Sequence, residues 1–167
     1  MYDKLTENDV KRIEEEIENR KLVVRKEALE KLKEARAQGD LSENFEYYAA
    51  KREKNKNESR IRYLERMLRT ASVVKDNTVE GVVGLDNTVT VYFPDDDETE
   101  TYKLVTSVRA DSLANLITIE SPLGKALLGH KEGDRISVSV GNGVEYDVVI
   151  RKIEMTADEG KEEIRKF

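Results

Sequence analysis

Residues 6–37, TENDVKRIEEEIENRKLVVRKEALEKLKEARA, contain neither proline nor glycine and decide the first element of the fold. Thr6 followed by Asp9 is the pattern of a helix N-terminus, where short polar side chains take up free backbone N–H groups. Apolar residues recur at Val10, Ile13, Ile17, Val24, Ala28, Leu32 and Ala35, in steps of three, four or seven. Such steps line up on one side of a helix. The stripe is narrow and the rest of the surface is Glu, Lys and Arg, so it reads as a coiled-coil seam. The pattern stops at Gln38-Gly39-Asp40, where glycine can take the left-handed conformation that ends a helix.

A second helical pattern starts directly afterwards, with Ala50, Ile61, Leu64, Leu68 and Ala71 on its seam. A short connection between two long helices makes an antiparallel pair. At 1.5 Å per residue each arm reaches roughly 45 Å, with residues 38–44 at the tip. The second seam has a polar gap at Lys54 and Asn57. Folding the chain about residue 42 places these near Glu27 and Glu30. The gap reads either as a salt-bridged stretch of seam or as a stretch kept soluble for a partner.

The C-terminal half is β-rich. Val79–Gly84, Thr88–Phe93, Tyr102–Val108, Leu116–Glu120, Arg135–Val140 and Val144–Ile153 are short runs of Val, Ile, Thr and Tyr between turn residues. Leu85-Asp86-Asn87 and Gly141-Asn142-Gly143 have hairpin-turn chemistry. Pro94 to Glu98 is a charged loop. Ser121-Pro122 supplies a cap and a first-turn proline for a short helix, Pro122–Leu128, that ends at Gly129. The expected class is α+β, with an α-helical coiled-coil hairpin over 1–75 and a β-rich domain over 76–167.

Composition narrows the function. The 167 residues carry a net charge of -6 and a mean hydropathy of -0.68. Residues 1–75 hold 19 Lys and Arg against 16 Asp and Glu, while residues 76–167 hold 10 against 19. Two modules with different neighbours are implied, and a protein that wraps duplex DNA would be more basic. No run of 18 apolar residues offers a membrane span. The N-terminus lacks a basic-then-apolar signal segment, and cysteine is absent, so a cytoplasmic protein is expected. His130 is the single histidine, which excludes multi-histidine zinc sites and leaves triad catalysis dependent on one residue.

Chemistry concentrates at the tip, Asp40-Leu41-Ser42-Glu43-Asn44. In one reading Asp40 is an N-cap and Glu43 the third helical residue of a capping box. In the other, both carboxylates point outward and hold a divalent metal. Mg²⁺ takes hard oxygen ligands, and two carboxylates on a convex tip would have to complete a site in another macromolecule.

The run EARAQGDLSENFEYYAAKREKNKNESRIRYLERMLRTASVV resembles the coiled-coil hairpin of the bacterial transcript cleavage factors GreA and GreB, whose tip carries GDLSENAEY or a near variant. ESPLGKALLGHKEGD is similar to the C-terminal domain of the same family, and together the matches span nearly the whole chain. The resemblance implies an FKBP-like C-terminal domain and a hairpin that enters the secondary channel of bacterial RNA polymerase. It implies that Asp40 and Glu43 help to hold a Mg²⁺ shared with the polymerase, with Ser42 assisting. The polymerase then cleaves its own backtracked RNA, so the factor is not itself an enzyme and carries no cofactor when free. The nascent RNA 3′ end would be held by Arg36, Lys51 and Arg52, and the polymerase rim would be met by Glu120, Ser121 and Pro122. A monomer and no membrane partner are expected.

AAKREKNKNESRI departs from the GreA pattern and SRIRYL is closer to GreB, while SPLGKALLG is closer to GreA. Three rivals follow: a channel-binding regulator or inhibitor without cleavage stimulation, a prolyl isomerase, for whose aromatic-lined pocket this domain offers only Tyr92, Phe93, Tyr102 and Tyr146 and no Trp, and a hairpin scaffold that oligomerises.

Overall fold

The computed structural model describes residues 3–39, 44–75 and 77–166. Its elements are β1 (Lys4–Leu5), α1 (Glu7–Asn19), a π-helical segment (Arg20–Val24), α2 (Arg25–Ala37), α3 (Phe45–Thr70), β2 (Ser72–Val73), β3 (Thr88–Phe93), β4 (Glu98–Val105), β5 (Leu116–Thr118), α4 (Pro122–Leu127), β6 (Arg135–Ser139) and β7 (Glu145–Glu154). The class is α+β. Two compact units result, one of residues 10–71 and one that joins the chain up to Asp9 with 72–166. Whereas the sequence suggests a division near residue 75, the described residues before Val10 belong with the globular unit, where β1 pairs in parallel with β2.

α1 begins as the Thr6–Asp9 pattern requires. The Asp9 N–H donates to Thr6 Oγ1 and the Thr6 N–H to Asp9 Oδ2, both at 3.1 Å, a reciprocal cap. On the hairpin seam Ile13, Ile17, Ala28 and Ala35 are buried, as are Ile61, Leu64 and Met67 of α3. The seven-residue step from Ile17 to Val24 contains the π-helical segment, where the Arg25 N–H reaches the Arg20 carbonyl five residues back.

The polar gap closes there. Asn57 is buried on the seam and donates from Nδ2 to the Arg20 carbonyl at 3.2 Å, while its Oδ1 accepts from Arg20 Nη1 at 3.0 Å. Glu16 accepts from Arg20 Nε at 2.7 Å and from Arg60 Nε at 2.9 Å. Arg25 and Glu58 form a two-bond pair at 2.7 and 2.9 Å. Asn57 therefore meets Arg20, not Glu27 as counting from the tip suggested. Packed helices pair by face, and the face opposite Asn57 carries the Arg20 carbonyl.

In the globular unit the sheet order is β5-β4-β3-β7-β6, antiparallel except for β4 with β5. Alternation sends Val89 and Val91 of β3, Ile136 and Val138 of β6, and Val148 and Ile150 of β7 inward. They meet Leu104 and Leu127, and each such side chain contributes about 1.5–3 kcal/mol on burial. Three sequence expectations change here. Val79–Gly84 is a turn with one bridge, Val82 to Lys131, rather than a strand. The fourth strand begins earlier and ends at Val105, giving way to a 3₁₀ turn over Ser107–Arg109. The short helix ends at Leu127, with Leu128 as its exposed C-cap rather than its last residue.

That 3₁₀ turn brings in a residue the sequence pattern had not marked. Arg109 is fully buried, donating from Nε to Asp9 Oδ1 at 2.6 Å and from Nη1 to Asp86. Thr106 Oγ1 donates to Asp9 Oδ2 at 2.6 Å. Burial alone would lower the Arg109 pKa, but the bond to Asp86 and the charges of Asp9, Asp86 and Asp158 raise it above the ordinary value. Asp86, whose φ is +69°, is pushed upward by burial against the pull of Arg109. The C-terminal segment straps this cluster. Glu162 takes Lys103 Nζ at 2.8 Å, Arg165 reaches Asp3 at 3.1 Å, and Ile164 is buried.

Candidate functional site at the tip and the α4 turn

α2 ends at Ala37, and Gly39 follows with φ of +116°, a conformation that favours glycine. α3 starts at Phe45. Its N-cap is Asn44, whose Oδ1 accepts from the Tyr47 N–H at 2.9 Å while its Nδ2 donates to the Ala35 carbonyl at 2.6 Å. One side chain thus caps α3 and ties it to the last turn of α2. α3 thus takes its cap from Asn44, which accepts and donates at once and so serves both helix ends. Asp40, Ser42 and Glu43 themselves lie outside the described residues.

The three cationic candidates are exposed. The Arg36 guanidinium lies 5.7 Å from the centre of the Tyr47 ring. A hydrogen bond from Arg36 lowers the Tyr47 pKa below the ordinary phenol value, with the charge of Lys51 acting in the same direction. Arg36, from α2, therefore lies over a ring of α3 whose charge surroundings Lys51 also shapes. Arg52 lies one residue further along α3.

At the α4 turn, Ser121 Oγ donates to the Thr118 carbonyl at 2.8 Å and accepts from the Gly124 N–H at 3.0 Å. Pro122 opens the helix at its first turn. Gly124 is needed there, since a Cβ would stand 2.1 Å from the Thr118 carbonyl oxygen. Ser121 and Pro122 hold the turn, and Glu120, half-buried, lies 3.7 Å from Lys4 Nζ. That separation leaves a weak, solvent-screened pair.

His130 Nδ1 lies 3.1 Å from Asp134 Oδ2, which also accepts from the Lys131 N–H at 2.9 Å. The Lys131 N–H, then His130, keep the Asp134 pKa below the usual carboxylate range. This is turn chemistry. Among the described residues no group of three or more His, Cys, Asp or Glu could hold a metal ion, and no helix is long and apolar enough to cross a membrane. Phe93 stacks on Tyr146 at 6.2 Å and meets Tyr102 edge-on at 6.5 Å.

The chain combines a two-helix hairpin with a five-stranded domain carrying a Ser-Pro-capped helix, and the comparisons assign this pair of modules to the transcription elongation factors. Residues 4–73 match the family domain described as transcription elongation factor, N-terminal, and residues 78–155 match the one described as transcription elongation factor, GreA/GreB, C-term. The chain belongs to the GreA/GreB family of transcription elongation factors. It is 42% identical over 149 residues to transcription elongation factor GreA of Staphylococcus epidermidis, covering 89% of this chain and 94% of that one. It is 47% identical over 141 residues to GreA of Thermoanaerobacter pseudethanolicus, covering 84% and 90%. Among solved structures, GreA factor homolog 1 of Thermus thermophilus is 29% identical, covers 92% of this chain and 99% of its own, and superposes with a TM-score of 0.44.

Proposed function

We propose that the protein acts in the cytoplasm as a monomer that enters the secondary channel of bacterial RNA polymerase and stimulates the polymerase's own cleavage of backtracked RNA. It is then not an enzyme in its own right. The observation that carries this reading is the cap: Asn44 satisfies both helix ends behind the tip. Neither Asp40 nor Glu43 is needed for the helix start, so both are available to a partner.

Asp40 and Glu43 are hard oxygen donors of the kind Mg²⁺ takes, and two of them leave most of its octahedral shell to polymerase and water. Such an ion, when bound, stabilises charge on the attacking and leaving oxygens of a phosphodiester. Ser42 is assigned the positioning of water or of a neighbouring polymerase group. Arg36, Lys51 and Arg52 hold the phosphates of the extruded RNA, a contact that positions without reading sequence. Glu120 meets the polymerase rim, on a turn kept rigid by Ser121 and Pro122.

The test is transcript cleavage by a backtracked polymerase with and without the protein. Wild type should accelerate cleavage. Asp40→Asn should bind and compete with wild type but lose most stimulation, with the hairpin's melting unchanged. Glu120→Lys should raise the concentration for half-maximal cleavage and leave the maximal rate, as loss of uniform binding does. No acceleration by wild type would sink the proposal.

A further inference from the structure

Phe45 opens α3 with 86% of its surface exposed, and Tyr48, one turn on, is exposed as well. Single exposed apolar residues carry little meaning, but these two do not stand singly. Steps of three and four place Phe45, Tyr48 and Arg52 in one row. The row runs along the outer side of α3, away from its buried seam at Asn57, Ile61 and Leu64. Tyr48 meets Tyr47 edge-on at 5.5 Å, and Arg36 lies over Tyr47.

The acidic residues of the same turns face elsewhere. Glu46 and Glu53 line a groove with Ala49, Ala50 and Glu34 on the other flank of α3. The tip end of this helix is therefore divided lengthwise, with rings and cations on one side and carboxylates on the other. Two exposed rings followed along the helix by cations are the pattern of a surface for single-stranded nucleic acid, the rings stacking on bases and the cations following phosphates. A protein partner of aliphatic character would leave the cations unanswered, and a second copy would set like charges against each other.

We infer that Phe45 and Tyr48 form a stacking platform for an unpaired base of the extruded RNA, next to phosphates held by Lys51 and Arg52. The inference rests on the function proposed above and deepens it, since it adds a base contact to a phosphate contact. Stacking depends on an aromatic face and tolerates any base, so the platform should be aromatic-specific and sequence-tolerant.

The experiment uses the full protein and backtracked complexes whose RNA 3′ nucleotide is normal, abasic or 2-aminopurine. Phe45→Ala with Tyr48→Ala should raise the concentration for half-maximal cleavage by at least about fivefold on normal RNA. The same pair should have little effect on abasic RNA. Phe45→Trp should restore binding and Phe45→Leu should not. Wild type should quench 2-aminopurine fluorescence on binding, and the double variant should not. Equal loss on normal and abasic RNA would place the rings against protein and overturn the inference, as would equal quenching by wild type and variant. Quenching by wild type without any stimulated cleavage would sink the proposed function and leave the stacking platform standing.

Discussion

The hairpin and the globular unit are held by opposite means. At its middle the hairpin replaces apolar seam residues with Asn57, Arg20, Glu16 and Arg60, joined by directional bonds. The globular unit buries a continuous apolar cluster and, separately, an ionic knot of Arg109 with Asp9 and Asp86. A thin two-helix rod has less interior: Asn57 and Arg60 are buried, but Glu16 and Arg20 stay partly exposed, so the charges there are only partly removed from water. A sheet covered by a helix and a strap has an interior, where an unpaired charge is expensive. The same chemistry should therefore have unequal consequences in the two units.

The sharpest contrast comes from Arg109→Ala. It leaves Asp9 buried without its cation and Asp86 likewise, and breaking a buried pair on one side is destabilising by about 3–5 kcal/mol. Chemical denaturation followed through the tyrosines of the sheet should show that loss. A shift under 1 kcal/mol would mean that the knot contributes no more than a surface pair.

Asn57→Ala tests the hairpin in the same way with less at stake. It frees the Arg20 guanidinium, which can turn to Glu16 or to water, and leaves the Arg20 carbonyl to its bond with the Arg25 N–H. A loss of about 1–3 kcal/mol is expected. It should appear as faster amide exchange over Arg20–Val24, while β3 and β7 keep their protection. Uniform loss of protection in both units would break the comparison.

The smallest effect belongs to exposed pairs and to pH. Arg25→Ala should have the smallest effect on thermal stability of the three, and a smaller one still at high salt. Acid acts with different sign on the hairpin carboxylates and on the buried Asp86. Glu16 is opposed by burial, yet its bonds to Arg60 and Arg20 hold its pKa below the ordinary glutamate value. Glu58 and Glu65 are lowered by bonds from Arg25 and Lys21. A lowered folded pKa gives stability that is present above the ordinary value of about 4.3 and lost as pH falls through the folded one. Asp86 is raised, so its ionised form weakens the fold above its folded pKa, and that penalty fades as pH falls toward the ordinary aspartate value. Amide exchange between pH 6 and pH 3 should therefore release the hairpin centre before the sheet. Release in the reverse order would contradict the assignment.

Periodicity determined much of this in advance. The steps of three, four and seven give α1 through α2 and their seam, and the alternation of Val89 and Val91 gives β3. Ser121-Pro122 gives the start of α4, because caps and first turns are local. The tip string located the candidate site, since its two carboxylates and two candidate cations lie within a dozen residues of one another. Tertiary structure alone decided the rest. Asn44, not Asp40, caps α3 because the cap also had to reach the Ala35 carbonyl nine residues back, a requirement no local pattern expresses. Asn57 pairs with Arg20 because helix faces, not distances from the tip, select partners. Arg109 was invisible along the chain: its partners Asp9 and Asp86 lie 100 and 23 residues away. A buried charge is legible only when the fold has brought its counter-charges to it, because water would otherwise solvate each of them alone.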